Sequence, residues 1–197
     1  MSYEKSMAEK DPQAFKADQY SIGLLKYLWK AGPLSSRKEN NIPAFLKKVE
    51  ILASLTDLER FEFGRYLHLR KFSPGEVIFS QGDLGHGFYF ILSGRVDIQI
   101  QSTHEGEEKT HSIVQLGRGH YFGEMGLLQQ LNYRNASAIT LENTELLGLF
   151  RPDLEKILSW HPVIGAKFLR GTSLILANRV ASLVDELATY KHQQSKS

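Results

Sequence analysis

The chain has 197 residues, enough for one domain of ordinary size plus an extension and too few for a second enzymatic domain. Lysine and arginine total 24 against 22 acidic residues, and a net charge of +2 with no local basic patch gives nothing that would favour nucleic acid or an anionic membrane. The absence of cysteine excludes disulfides, Cys-ligated metals and cysteine-held iron–sulfur clusters, and without a signal-peptide core or a run near the roughly 18 apolar residues of a membrane span, a cytoplasmic location is expected.

Asp11-Pro12 has the form of an N-cap with proline at the first helical position, and Gly32-Pro33 reads as a stop, so a helix is predicted over 12–30. Its apolar residues Phe15, Ile22, Leu25, Leu28 and Trp29 fall on one side, suited to the main domain or a partner; Lys16, Lys26 and Lys30 leave a membrane-surface helix as the alternative. Residues 35–41 read as a loop. A second helix is predicted over Ala44–Leu52, and a third follows the capping-box pattern Thr56-x-x-Glu59 to about Leu67.

From Leu69 the period changes to short β-type runs: 77–79, 88–92, 96–100, 112–116, 136–140 and 146–150. They are separated by turns at Pro74-Gly75, Gly82-Asp83, Ser93-Gly94, Glu105-Gly106 and 117–119. Strands that short and regular indicate a barrel or roll. The helical period returns after Phe150, with prolines 152 and 162 opening two helices. In the last one, Leu169, Ser173, Leu176, Val180, Leu183 and Leu187 follow the 4-3-4-3-4 spacing of a two-stranded coiled-coil seam, which predicts a homodimer through 162–190 or, alternatively, a lid on the roll. No helix-turn-helix is expected beyond it.

The chemistry-bearing segment is Phe122-Gly123-Glu124-Met125-Gly126-Leu127-Leu128, followed by Tyr133-Arg134-Asn135-Ala136. A small anion calls for backbone N–H groups at a helix start, a glycine that lets it approach the main chain, and a fixed cation. Gly123, the amides near 124–126 and Arg134 supply these, and arginine's planar fork suits two phosphate oxygens at once. Glu124 beside an anion site makes sense as an acceptor for a sugar hydroxyl, offset by a nearby cation.

These residues resemble the cyclic nucleotide-binding domain family, whose cassette reads F-G-E-[LIM]-[AG]-L, a loop, then R-[AST]-A. Phe72-x-Pro74-Gly75-Glu76, Gly82-Asp83-x-Gly85 and Phe88-Tyr89-x-Ile91-x-x-Gly94 extend the likeness over about 44–190. The ten-position separation of Glu124 and Arg134 is similar to that of the family's bacterial catabolite activators. The resemblance implies a mainly β fold with flanking helices: an N-terminal helical extension and loop over 1–42, then a binding domain over 43–197, its β-roll about 69–150 and its C-terminal helices about 151–190. It further implies a non-catalytic regulatory sensor whose ligand is a cyclic nucleotide, cAMP before cGMP, acting through an unidentified downstream protein, with no cofactor, metal, nucleic acid or membrane. Arg134 would pair with the cyclic phosphate and Glu124 with the ribose 2′-hydroxyl. The amides of Gly123, Met125 and Ala136 would help at the anion, Ile98 and Ile113 would wall the base, and Arg179 and Ser182 are candidate base contacts. Asn135 stands where the family has serine, threonine or alanine, and can still donate to phosphate; Tyr133 bears on loop shape.

Two other readings stand beside this one. Glu124 and Arg134 can form an internal salt bridge in a roll that has lost its ligand. His120-x-x-x-Glu124 echoes half of a metal-dependent oxygenase site, although its partner His-x-His is missing and His111 is poorly placed.

Overall fold

The computed structural model describes residues 42–104, 107–128 and 133–194; the predicted helix over 12–30, the loop over 35–41 and the turn at Glu105-Gly106 lie outside them. The predicted helix Ala44–Leu52 is replaced by two shorter pieces, α1 (Ile42–Leu46) and a 3-10 turn at Glu50–Leu52. Phe45, Leu46, Val49, Ile51 and Leu52 are all buried, and one helical face cannot present that spacing at 3.6 residues per turn. The extended backbone of Val49 (φ −88°, ψ 117°) resets the phase. Helix α2 (Asp57–Gly64) carries the expected capping box: Thr56 N–H donates to the Glu59 carboxylate at 2.7 Å, and Glu59 N–H to Thr56 Oγ1 at 3.3 Å. It ends three residues before Leu67, closed by bonds from Tyr66 N to Phe63 O and from Leu67 N to Gly64 O.

The strands are β1 (His68–Phe72), β2 (Val77–Phe79), β3 (Gly87–Ser93), β4 (Val96–His104), β5 (Glu107–Leu116), β6 (Tyr121–Phe122), β7 (Ser137–Thr140) and β8 (Thr144–Phe150). They form two four-stranded antiparallel sheets, in the orders β1-β8-β3-β6 and β2-β7-β4-β5. The mainly β roll with flanking helices is therefore present. Alternation along β3 divides the core. Phe88 and Phe90 face the helices, with Phe63, Leu147 and Phe168, while Tyr89 and Ile91 face the second sheet, with Phe79, Val96, Phe122 and Leu146. β4 and β5 run further than the apolar pattern reaches, because residues 101–103 and 107–111 are exposed and carry no apolar alternation to read.

Helix α3 (Glu124–Leu128) follows β6, and the chain closes with α4 (Arg151–Trp160), with Pro152 in its first turn, and α5 (Pro162–Gln194). The first half of α5 is part of the body. Ile164, Phe168 and Thr172 are buried, Leu169 and Ile175 pack on the same core, and Lys167 Nζ reaches Glu59 at 2.7 Å. Gly171 lies flat against the Ile51 carbonyl, where a Cβ would sit closer than 3.0 Å. Residues 177–189 are exposed, including Val180, Leu183, Val184 and Leu187. No helix among the described residues is long and apolar enough to cross a membrane.

Candidate ligand-binding site

The turn from β6 into α3 brings the cassette together. Gly123 has φ +84°, a left-handed conformation that strains any residue with a Cβ, and it places Glu124 at the first position of α3, 8% exposed. On the other side, Arg134 is fixed by its own main chain, with its N–H donating to Asp83 O at 2.7 Å and its carbonyl accepting from Gly82 N at 2.8 Å. The residue as a whole is 5% exposed. Nη2 donates to Gly87 O at 2.8 Å and Nη1 to Gly123 O at 3.2 Å, while Cζ lies 3.9 Å from the centre of the Phe79 ring. A cation is thus preset beside the glycine turn.

The Glu124 carboxylate receives Arg179 Nη1 from α5, and the Arg179 guanidinium stands 5.9 Å above the Tyr121 ring. Burial pushes the Tyr121 phenol up to about 12, so it keeps its proton and remains a donor. His86, between the two glycines that flank Arg134, is pushed down to about 4, by burial first and then by the Arg134 and Arg151 charges. Of the other predicted residues, Met125 is exposed and Ala136 half-buried, and Asn135 Nδ2 turns to the Met125 sulfur at 3.6 Å. Ile98 pairs with Val114 and Ala138 and packs on the core between the sheets. Ile113 falls at the register shift in β5 and is 58% exposed. Arg179 and Ser182 line a cleft of about 830 Å³ between α5 and the β5–β6 connection, together with Leu116, Arg118, Tyr121 and Asn178.

The sequence reading missed Phe79 and the Gly87 carbonyl. Val77-Ile78-Phe79 reads as plain core, and nothing local marks one of the three as facing a charge. His120 Nδ1 bonds to Gly117 O at 3.1 Å, and among the described residues no three His, Asp or Glu side chains come together as metal ligands.

Residues 69–161 match the family model of the cyclic nucleotide-binding domain. That stretch of the chain carries the likeness to the family. The chain is 35% identical over 133 residues to the cyclic AMP receptor protein of Thermus thermophilus, covering 67% of this chain and 57% of the relative. It is 34% identical over 145 residues to a cAMP-dependent protein kinase regulatory subunit of Hypocrea atroviridis, covering 74% of this chain and 29% of that one. It spans little more than half of the first relative and under a third of the second. The crystal structure of Thermus thermophilus catabolite activator protein superposes with a TM-score of 0.64 at 33% identity, over 72% of this chain and 63% of that one. The cyclic nucleotide-binding domain is thus shared by relatives whose names mark them as cAMP receptors and kinase regulators.

Proposed function

We propose that the cyclic nucleotide-binding domain, extended over 43–197, is a working sensor that binds cAMP in preference to cGMP and performs no catalysis. The observation that carries this is the buried Arg134 guanidinium, held in place by two carbonyls next to Gly123 and Glu124. A desolvated cation fixed in advance is what a cyclic phosphate needs, because its pairing then costs little further ordering. In this reading Arg134 takes the phosphate, aided by the amides of Gly123, Met125 and Ala136 and by Asn135. The ribose 2′-hydroxyl donates to Glu124. Ile98 and Ile113 wall the base, with Arg179 and Ser182 on its α5 side. The preference for cAMP draws on the relatives named for it.

Because Arg179 of α5 already meets Glu124, a ligand that engages the same carboxylate changes what holds α5. It can shift the helix only by its differential affinity for the two arrangements. The partner of α5 in this reading is a second copy of the chain. The coiled-coil seam proposed over 162–190 is limited to its second half, since Leu169 packs on its own core, and the exposed stripe runs through Val180, Leu183 and Leu187. The output passes to a downstream protein.

The competing reading, a scaffold without ligand, draws on the same Glu124–Arg179 ion pair, which gives the carboxylate a counter-ion without a nucleotide. Titration calorimetry with cAMP and with cGMP separates the two. The sensor binds, with cAMP tighter; heat from neither nucleotide would leave the scaffold.

A further inference from the structure

Phe79 ends β2, and in a regular strand its side chain would point away from that of Ile78. The β2–β7 register shifts between Val77 and Phe79, and Ile78 and Phe79 are both buried, at 0% and 4% exposure. An irregularity of this kind bends a strand and re-aims a side chain, and such features concentrate next to sites. Here the face of the Phe79 ring comes to 3.9 Å from Arg134 Cζ. Glycine backbone also stands against the guanidinium: a Cβ on Gly85 would lie 3.0 Å from Arg134 Nε, and one on Gly123 or Gly126 would lie closer than 3.0 Å to Nη1. Three glycines therefore leave room for the guanidinium that side chains would take, and the aromatic ring covers one of its faces.

We propose that Phe79 is a positioning residue of the anion site, its ring clamping the Arg134 guanidinium so that the charge is presented in one orientation before any ligand arrives. This rests on the reading of Arg134 as the phosphate partner. Arginine is flexible, and ordering such a side chain on binding weakens the complex. A ring face against a desolvated guanidinium removes that penalty in advance and adds cation–π attraction. Phe79 also touches the Tyr89 and Phe122 rings, with centroids 6.3 and 5.9 Å away, so the test has to separate clamping from packing.

A double-mutant cycle does so. Phe79→Leu in the parent weakens cAMP binding about five- to thirtyfold, the range of a desolvated cation–ring contact. In an Arg134→Lys background, where no planar guanidinium is left to clamp, the same change costs less than about twofold. Equal losses in both backgrounds would make Phe79 a packing residue only and overturn the proposal. A second readout needs no ligand. The Arg134 Nε–Hε resonance is expected upfield of the other arginines through the ring current, to stay there in Phe79→Tyr, and to move downfield in Phe79→Leu, with thermal unfolding confirming that both variants are folded. A resonance unchanged in Phe79→Leu would overturn the clamp whatever the binding shows. If the parent binds neither nucleotide, the functional reading fails, and this resonance alone decides for or against the clamp.

Discussion

The cassette wall and the second half of α5 sit on either side of one ion pair, Glu124–Arg179, yet they are built on opposite principles. In the cassette the charged groups are interior: Glu124 and Arg134 are nearly inaccessible and the guanidinium has its carbonyl and ring partners fixed. Beyond Leu176 the helix presents apolar side chains to solvent, with Val180, Leu183, Val184 and Leu187 each more than half exposed, and Arg179 is its hold on the cassette. The contrast sets a rigid, interior cassette against a lightly tethered helix, which in the proposed function reports on it. Packing fixes the first; the partly exposed Arg179, against Glu124 and Tyr121, ties down the second.

The largest expected effect tests the buried side. An unfolded His86 takes up a proton near pH 6.5, whereas the folded one, held at about 4 by burial and the nearby arginines, does not. Between those values the unfolded state binds more protons, so the stability present above pH 6.5 falls as the pH drops to about 4 and then levels off. The loss is roughly 3 kcal/mol. Urea denaturation across this window should show it, and His86→Gln should flatten that part of the profile. A parent with constant stability there would mean that the wall around Arg134 is wetter than described.

A smaller effect is expected at the tether. Arg179→Ala removes a contact whose arginine side is half exposed but leaves the Glu124 carboxylate, 10% exposed, without that partner, so chemical denaturation should register about 1–2 kcal/mol. A loss of several kcal/mol would make α5 part of the core along its whole length and erase the contrast. The smallest change in monomer stability belongs to Val180→Glu, within about 0.5 kcal/mol for an exposed position. Its effect falls on association. A carboxylate in mid-stripe meets its own copy across the two-fold axis, so light scattering should give a dimer mass for the parent and 22.4 kDa for the variant. A parent that already runs as a monomer would turn the stripe into a lid.

The cassette was legible because its requirements are local: Gly123, Glu124 and Arg134 sit within twelve residues, and each residue type has one chemical reason to be there. The roll was legible from turn spacing, and the capping box located α2. What escaped detection depends on distant partners. The break at Val49 follows from five side chains seeking one core. The aim of Phe79 follows from a register shift against β7, and the Gly87 carbonyl is an acceptor that every residue carries. On α5 the 4-3-4-3-4 spacing correctly marked an apolar stripe. It did not say that Leu169 would be claimed by the roll while Val180 and Leu187 would not, because periodicity identifies a face and leaves its occupant open.

Arg134→Ala is the most direct test of the central claim, because the described site places its fixed cation there. Truncating one partner of a buried, charge-assisted pair costs roughly 2–5 kcal/mol. Calorimetry should therefore show cAMP binding weakened by more than about tenfold, while circular dichroism shows the strands retained. A dissociation constant equal to that of the parent would contradict the account.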